Sequence, residues 1–228
     1  MTVRSFKVRA GRLGPERSAD LDRLWAAYGL LVGDPAEPIA PLDEPGEPLH
    51  LATLFGRVAP VVLEIGSGMG ETTVAMAAAD PARDLLAVEV HVPGLAALVS
   101  RIEAAGLGNV RVARGDAVAL LRQLPFAGLD EVRIYFPDPW PKVKHHKRRL
   151  VSAAFVELVA ERLRPGGLLH VATDWASYAE SALAVLAAAP KFSLDGYAPR
   201  PAWRPVTRFE ARGAAAGRPS YDLLAVRR

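Results

Sequence analysis

A chain of 228 residues, half of them hydrophobic and 23% charged, can bury a sizeable core and is too apolar to be disordered. By size it holds one or two domains, and a net charge of only +3 means that any basic face must be shown by local clustering. The absence of cysteine excludes disulfides, cysteine zinc sites, cysteine-ligated iron–sulfur clusters and a cysteine nucleophile.

The first stretch, "MTVRSFKVRAGRLGPER", is basic and irregular and lacks the apolar centre of a signal peptide. "SADLDRLWAAYGL" predicts a short helix with Ser18 as N-cap, because Leu21, Leu24 and Tyr28 recur at helical spacing. "GDPAEPIAPLDEPGEP" is loaded with proline and acids and predicts a loop. Residues 1–50 therefore read as an arm, a short helix and a Pro-rich loop, with one main domain over residues 51–228. No apolar run is long enough to cross a bilayer, so a soluble cytoplasmic protein without membrane association is expected.

From Val61 onward short apolar runs alternate with helical segments. "VVLEIG", "LLAVEV", "VRVARGDA", "VRIYFPD" and "LLHVATD" predict strands. The helices between them include one over residues 93–105, with Pro93 in its first turn. Continuous apolar strands separated by helices predict an α/β, doubly wound, mostly parallel sheet covered on both faces, with ligands at the strands' C-terminal ends. After Pro190 the alternation stops. "FSLDGYAPR" and "SYDLLAVRR" predict an antiparallel pair at one edge.

Two groups of residues carry chemistry. "LEIGSGMGE" is a strand, a glycine turn and a helix start, in which Gly66, Gly68 and Gly70 permit a sharp turn and close approach to a ligand. Taken alone this resembles a dinucleotide fingerprint or simply a tight turn. Three acids sharpen it: Glu64 just before the glycines, Glu89 closing the second strand and Asp116 after the third. A pyrophosphate gains nothing from an extra acid beside the turn. A ligand with a cationic amino-acid end, a ribose and an adenine uses all three, and S-adenosylmethionine is such a ligand. Each acid singly is more often a helix cap or a solvated carboxylate.

The second group is "FPDPWPKVKHHKRR". Pro137 and Pro139 fix φ on both sides of Asp138 and restrict the residues before them. Trp140 offers a flat face for stacking a base. Lys142, Lys144, His145, His146, Lys147, Arg148 and Arg149 then form a run suited to phosphate, although an isolated run of this kind is usually a solvated helix start. The adjacent histidines lack nearby carboxylate partners, and no metal is assigned to them. A nicotinamide dehydrogenase, a methyltransferase with another acceptor and a non-catalytic RNA-binding module all remain open on these features alone.

Together, "RSF…GR", "EIGSGMGE", "VEVHVPG", "FPDPWPKVKHHKRR", "ATDW" and "RPVTRFEARG…G" resemble the bacterial tRNA (guanine-N7-)-methyltransferases over the chain from Arg4 to its end. The resemblance implies a seven-stranded class I methyltransferase sheet. It also implies transfer of a methyl group from S-adenosylmethionine to N7 of guanine in tRNA, at the variable-loop guanine conventionally numbered 46; no obligate protein partner is evident in the sequence. It assigns Glu64, Gly66, Gly68, Glu89, Asp116 and Asp138 to the cofactor, with Asp138 also catalytic. It assigns Lys142, Asp174, Thr207, Arg208, Phe209 and Glu210 to the substrate, and Lys144 to Arg149 to RNA contact. Two positions depart from the family pattern: Ser67 stands where many members have Phe, and Tyr221 where Trp is common.

Overall fold

The computed structural model describes residues 5, 6, 13–33 and 48–228. The basic arm around Arg4 and Arg12 and most of the Pro-rich loop lie outside them. The chain forms two compact units, Val8–Pro125 and Phe126–Arg228, with residues 5 and 6 belonging to the latter.

In the first unit α1 (Pro15–Tyr28) leads directly into β1 (Gly29–Val32). The helix begins one turn earlier than its pattern predicts. Its N-cap is Gly14 and not Ser18, and Pro15 opens it, where a missing N–H costs nothing. Strand β1 was not expected; "GLLV" reads as the end of the helix until pairing with a distant strand decides otherwise. There follow α2 (Leu51–Phe55), β2 (Val61–Ile65), α3 (Glu71–Ala79), β3 (Asp84–Glu89), α4 (Val92–Ala104), β4 (Val110–Gly115) and α5 (Ala117–Gln123). Strand β2 pairs in parallel with β3, β3 with β4, and β4 with β1. All five residues of β2 and the first five of β3 are buried, as a sheet covered on both faces requires. Leu24 of α1 packs with Leu95, Leu98, Val99 and Ile102 of α4 and with Val110 and Val112 of β4. Tyr28 closes this corner by donating to Glu103 Oε2 at 2.7 Å.

The second unit contains β5 (Leu129–Tyr135), a 3₁₀ helix (Val143–Arg148), α6 (Ala153–Arg162), β6 (Leu163–Thr173), α7 (Ala176–Ala187), β7 (Phe192–Ser193), β8 (Tyr197–Ala198), α8 (Arg208–Ala215) and β9 (Tyr221–Arg227). Strand β5 pairs in parallel with β6, whereas β9 runs antiparallel to β6. The short β7 and β8 both add antiparallel to β9. The antiparallel edge is as expected, but the described residues hold nine strands rather than seven, because β1 is added and "FSLDGYAPR" breaks into two. Gly196, at φ +95°, lies at that break. Among the described residues no helix is long and apolar enough to cross a membrane.

Candidate active site

The turn between β2 and α3 is built by backbone conformation. Gly66, Gly68 and Gly70 have φ of +82°, +57° and +81°, a region that L side chains rarely adopt. Gly66 and Gly68 have nothing within 4 Å of where a Cβ would stand, so their side of the turn is open. Gly70 differs: a Cβ there would lie 2.5 Å from Leu98 Cδ1. The first turn of α4 presses on the same loop, since a Cβ on Gly94 would meet the Gly68 carbonyl oxygen at 2.4 Å. Arg101 of α4 braces it further, donating to Met69 O at 3.0 Å and to Glu71 Oε1 at 2.7 Å.

The three acids gather at the C-terminal edge of this parallel sheet. Glu64 is buried within β2. Glu89 ends β3, and its Oε2 accepts from Gly68 N at 2.8 Å while Oε1 accepts from Val90 N and His91 N at 2.7 and 2.9 Å. It therefore ties the glycine turn to the strand end, with acceptor capacity left on Oε2. Asp116 caps α5, its Oδ1 accepting from Val118 N and Ala119 N at 2.7 and 3.1 Å. The glycine turn also holds a hydroxyl suited to a polar ligand: Ser67 Oγ is buried, on a residue 6% exposed, with no hydrogen-bond partner among the described residues. Open glycines, an unpaired hydroxyl and carboxylates at the strand ends fit the polar, cationic end of S-adenosylmethionine.

The turn after β5 solves a similar problem without glycine. Phe136 and Trp140 flank "PDP" with φ of +52° and +44°. Both precede proline, which ordinarily demands an extended conformation, so each stores strain of about 1–3 kcal/mol that the surroundings must hold. Asp138, between them, is exposed. Trp140 donates from Nε1 to Ser5 O at 2.9 Å. The Arg148 guanidinium lies 3.8 Å from its ring centroid. One face of the ring expected to stack a base is thus already taken by a cation.

The basic run folds as a 3₁₀ helix, whose repeat of three residues sorts it into rows. Lys144 and Lys147 are exposed, as is Lys142 before the helix. His145 and Arg148 flank Trp140, with His145 6.0 Å from it between ring centroids. Partial desolvation, then the charges of Lys144, Arg148, Lys142 and Lys147, hold the His145 pKa below the usual imidazole range. His146 and Arg149 form the third row and bond to one another, Arg149 Nη2 to His146 Nε2 at 3.1 Å. Arg149 departs from the RNA-contact expectation: it is 8% exposed and turned into the protein, because α7 and the proline turn offer it oxygens.

"TRFE" starts α8 with a capping box. Thr207 Oγ1 accepts from Glu210 N at 3.0 Å, and the Glu210 carboxylate accepts from Thr207 N. The segment is tied to the loop before it by Arg204, which donates to both Glu210 oxygens at 2.7 and 3.1 Å. Arg208 is exposed and Phe209 is 60% exposed. Asp174, directly after β6, accepts from Arg218 Nε at 2.9 Å.

Arg204, not singled out by the sequence, anchors a buried polar chain. It donates to Asp222 Oδ1 and Oδ2 at 2.9 and 3.0 Å. Asp222 Oδ1 lies 2.7 Å from His170 Nε2, and His170 Nδ1 lies 3.0 Å from Tyr135 Oη. An ionised carboxylate only accepts, so Nε2 carries the proton and Nδ1 accepts from the tyrosine. Burial lowers the His170 pKa, against the opposing pull of Asp222, and keeps the ring neutral. No local motif marks these residues; three separate strands and the loop before α8 bring them together.

A family model described as "Putative methyltransferase" matches residues 58–223. A tRNA (guanine-N(7)-)-methyltransferase of Streptomyces avermitilis is 50% identical over 227 residues, covering 97% of this chain and 74% of that protein. One of Nitrosospira multiformis is 47% identical over 225 residues, covering 97% of this chain and 93% of that protein. Among solved structures, an rRNA methylase from Streptococcus thermophilus superposes with a TM-score of 0.53 at 14% identity, over 74% of this chain and 87% of that one. That likeness shows the Rossmann-like α/β fold. Identity at this level over nearly the whole length shows more: the chain belongs to the tRNA (guanine-N(7)-)-methyltransferase family.

Proposed function

We propose that the protein transfers a methyl group from S-adenosylmethionine to N7 of guanine in tRNA, at the variable-loop guanine, in the cytoplasm and without a metal. The observation that carries the assignment to guanine N7 of tRNA is 50% identity over 97% of the chain to a relative named tRNA (guanine-N(7)-)-methyltransferase. S-adenosylmethionine, when bound, supplies an electrophilic sulfonium methyl. Guanine N7 presents an in-plane lone pair and no proton, so no general base is required. The protein's work is therefore orientation and electrostatics.

Gly66, Gly68 and the Ser67 hydroxyl receive the amino-acid end of the cofactor. Glu64 supplies negative charge there, Glu89 accepts from the ribose, and Asp116 borders the adenine. Asp138 places a carboxylate against the purine, which becomes positive as it is methylated. Asp174, Lys142 and the segment Thr207, Arg208, Phe209 and Glu210 receive the nucleotide. Glu210 does so as a carboxylate already oriented by Arg204, with Arg208 and Phe209 supplying exposed charge and surface. Lys144 and Lys147, with His145, His146 and Arg148 beside them, form the RNA-facing segment. The test is incubation with labelled S-adenosylmethionine and unmodified tRNA, followed by nucleoside analysis. Label in 7-methylguanosine at the variable loop is the expected result. Label in another nucleoside, or bound tRNA without label, would reject the reading.

A further inference from the structure

We propose that Arg149 is a positioning residue for the Asp138 turn and takes no phosphate. The proposal rests on reading Asp138 as the catalytic carboxylate.

A guanidinium has five N–H donors, and Arg149 uses all five inside the protein. Nε donates to Pro139 O at 3.2 Å. Nη1 donates to Ser177 O at 2.7 Å and to Ser181 Oγ at 2.8 Å. Nη2 donates to Ser177 Oγ at 3.0 Å and to His146 Nε2 at 3.1 Å. No donor remains for a phosphate oxygen. The acceptors are preset. Ser181 Oγ donates its own proton to Tyr178 O at 2.9 Å, which leaves its lone pairs toward Arg149. His146 Nε2 must be the unprotonated nitrogen, since an arginine only donates. The guanidinium also lies 5.3 Å from the ring centroid of Tyr178, a fully buried side chain whose hydroxyl accepts from Val151 N at 3.3 Å.

The position of the Pro139 bond gives this cluster its purpose. The Pro139 carbonyl and the Trp140 amide share one peptide plane. Holding that carbonyl holds one side of Trp140's positive φ and, through the fixed proline ring, the direction in which Asp138 leaves the chain. Ser177 and Ser181 lie one helical turn apart on α7, so the rigid helix is the anchor and Arg149 is the link from it to the strained turn. Lysine would keep the charge but has neither the planar fork nor five donors.

The experiment is a double-mutant cycle between Arg149→Lys and Asp138→Asn. It is read by single-turnover methylation at saturating tRNA and S-adenosylmethionine and by the salt dependence of tRNA binding. Arg149→Lys is expected to slow turnover by roughly tenfold or more and to leave the slope of log affinity against log salt unchanged. The double variant is expected to be no slower than Asp138→Asn alone. Added guanidinium should restore part of the turnover of Arg149→Gly. A salt slope reduced by about one at unchanged saturated turnover would make Arg149 a phosphate contact and overturn the proposal. So would losses that multiply in the double variant while Asp138→Asn is itself slow. Near-wild-type turnover in Asp138→Asn is a separate outcome: it removes the catalytic reading of Asp138, and the positioning role with it. Should Arg149→Lys fail to fold, Ser177→Ala combined with Ser181→Ala removes two acceptors and enters the same cycle.

Discussion

The turns after β2 and after β5 both need residues at positive φ, and they obtain them by opposite means. The first spends glycine at residues 66, 68 and 70, where the conformation costs little and the space beside it stays open. The second places Phe136 and Trp140 in the same region and braces Trp140 from elsewhere: the Arg149 side chain on the Pro139 carbonyl, the Arg148 guanidinium over the indole, and the Ser5 backbone carbonyl accepting from its N–H. A glycine turn admits a ligand by being empty. A clamped aromatic turn aims one carboxylate by being full. On the proposed function, the first receives the cofactor and the second keeps the Asp138 carboxylate from moving during the reaction.

The largest expected effect tests the clamped turn. Asp138→Asn keeps the shape and removes the charge, and single-turnover methylation should fall by roughly 10²-fold or more with tRNA affinity near wild type. Wild-type turnover would leave the second turn purely structural and collapse the contrast.

The glycine turn can be broken in two graded ways. Gly66→Ala meets no atom within 4 Å and should cost only the strain of positive φ, about 1–2 kcal/mol. Gly70→Ala adds a clash with Leu98 and should cost about 1–3 kcal/mol more. Denaturant unfolding measures both. Equal losses would show that conformation alone, and not packing against α4, shapes this turn.

A smaller effect concerns the exposed row of the 3₁₀ helix. Replacing Lys144 and Lys147 by Gln should reduce the salt slope of tRNA binding by about two, with saturated turnover unchanged. An unchanged slope would move the phosphate contacts elsewhere.

The smallest effect belongs to the buried chain behind α8. Burial depresses the His170 pKa below the unfolded imidazole value of 6.5, so the unfolded chain takes up a proton that the folded one refuses. The associated stability is complete above the unfolded pKa. It is lost as pH falls from there toward the folded pKa. Melting temperature should therefore fall as pH drops below the unfolded imidazole value of about 6.5, and fall less in His170→Gln. Equal drops in both would assign the acid sensitivity to other groups.

The strand–helix alternation, the glycine turn and the basic run were legible in sequence because each is local: periodicity, positive-φ glycines and charge density need only neighbours along the chain. The acids at the ends of β2, β3 and β4 were legible for the same reason, since parallel strands bring their C-terminal ends to one edge. Strand β1 was not, because four apolar residues after a helix become a strand only by pairing with β4. Nor was the division of "KHHKRR" into exposed and inward rows, which follows from a 3₁₀ repeat and from oxygens that α7 presents. Arg204, His170 and Asp222 carry no motif, and their bonds join residues 18 and 52 positions apart. Sequence by itself determined the fold class, the glycine cradle and where the carboxylates and cations stand along the chain. Tertiary structure decided which of those charges face solvent and which are consumed holding the others in place, because a hydrogen-bond donor is spent on whatever acceptor folding brings within reach.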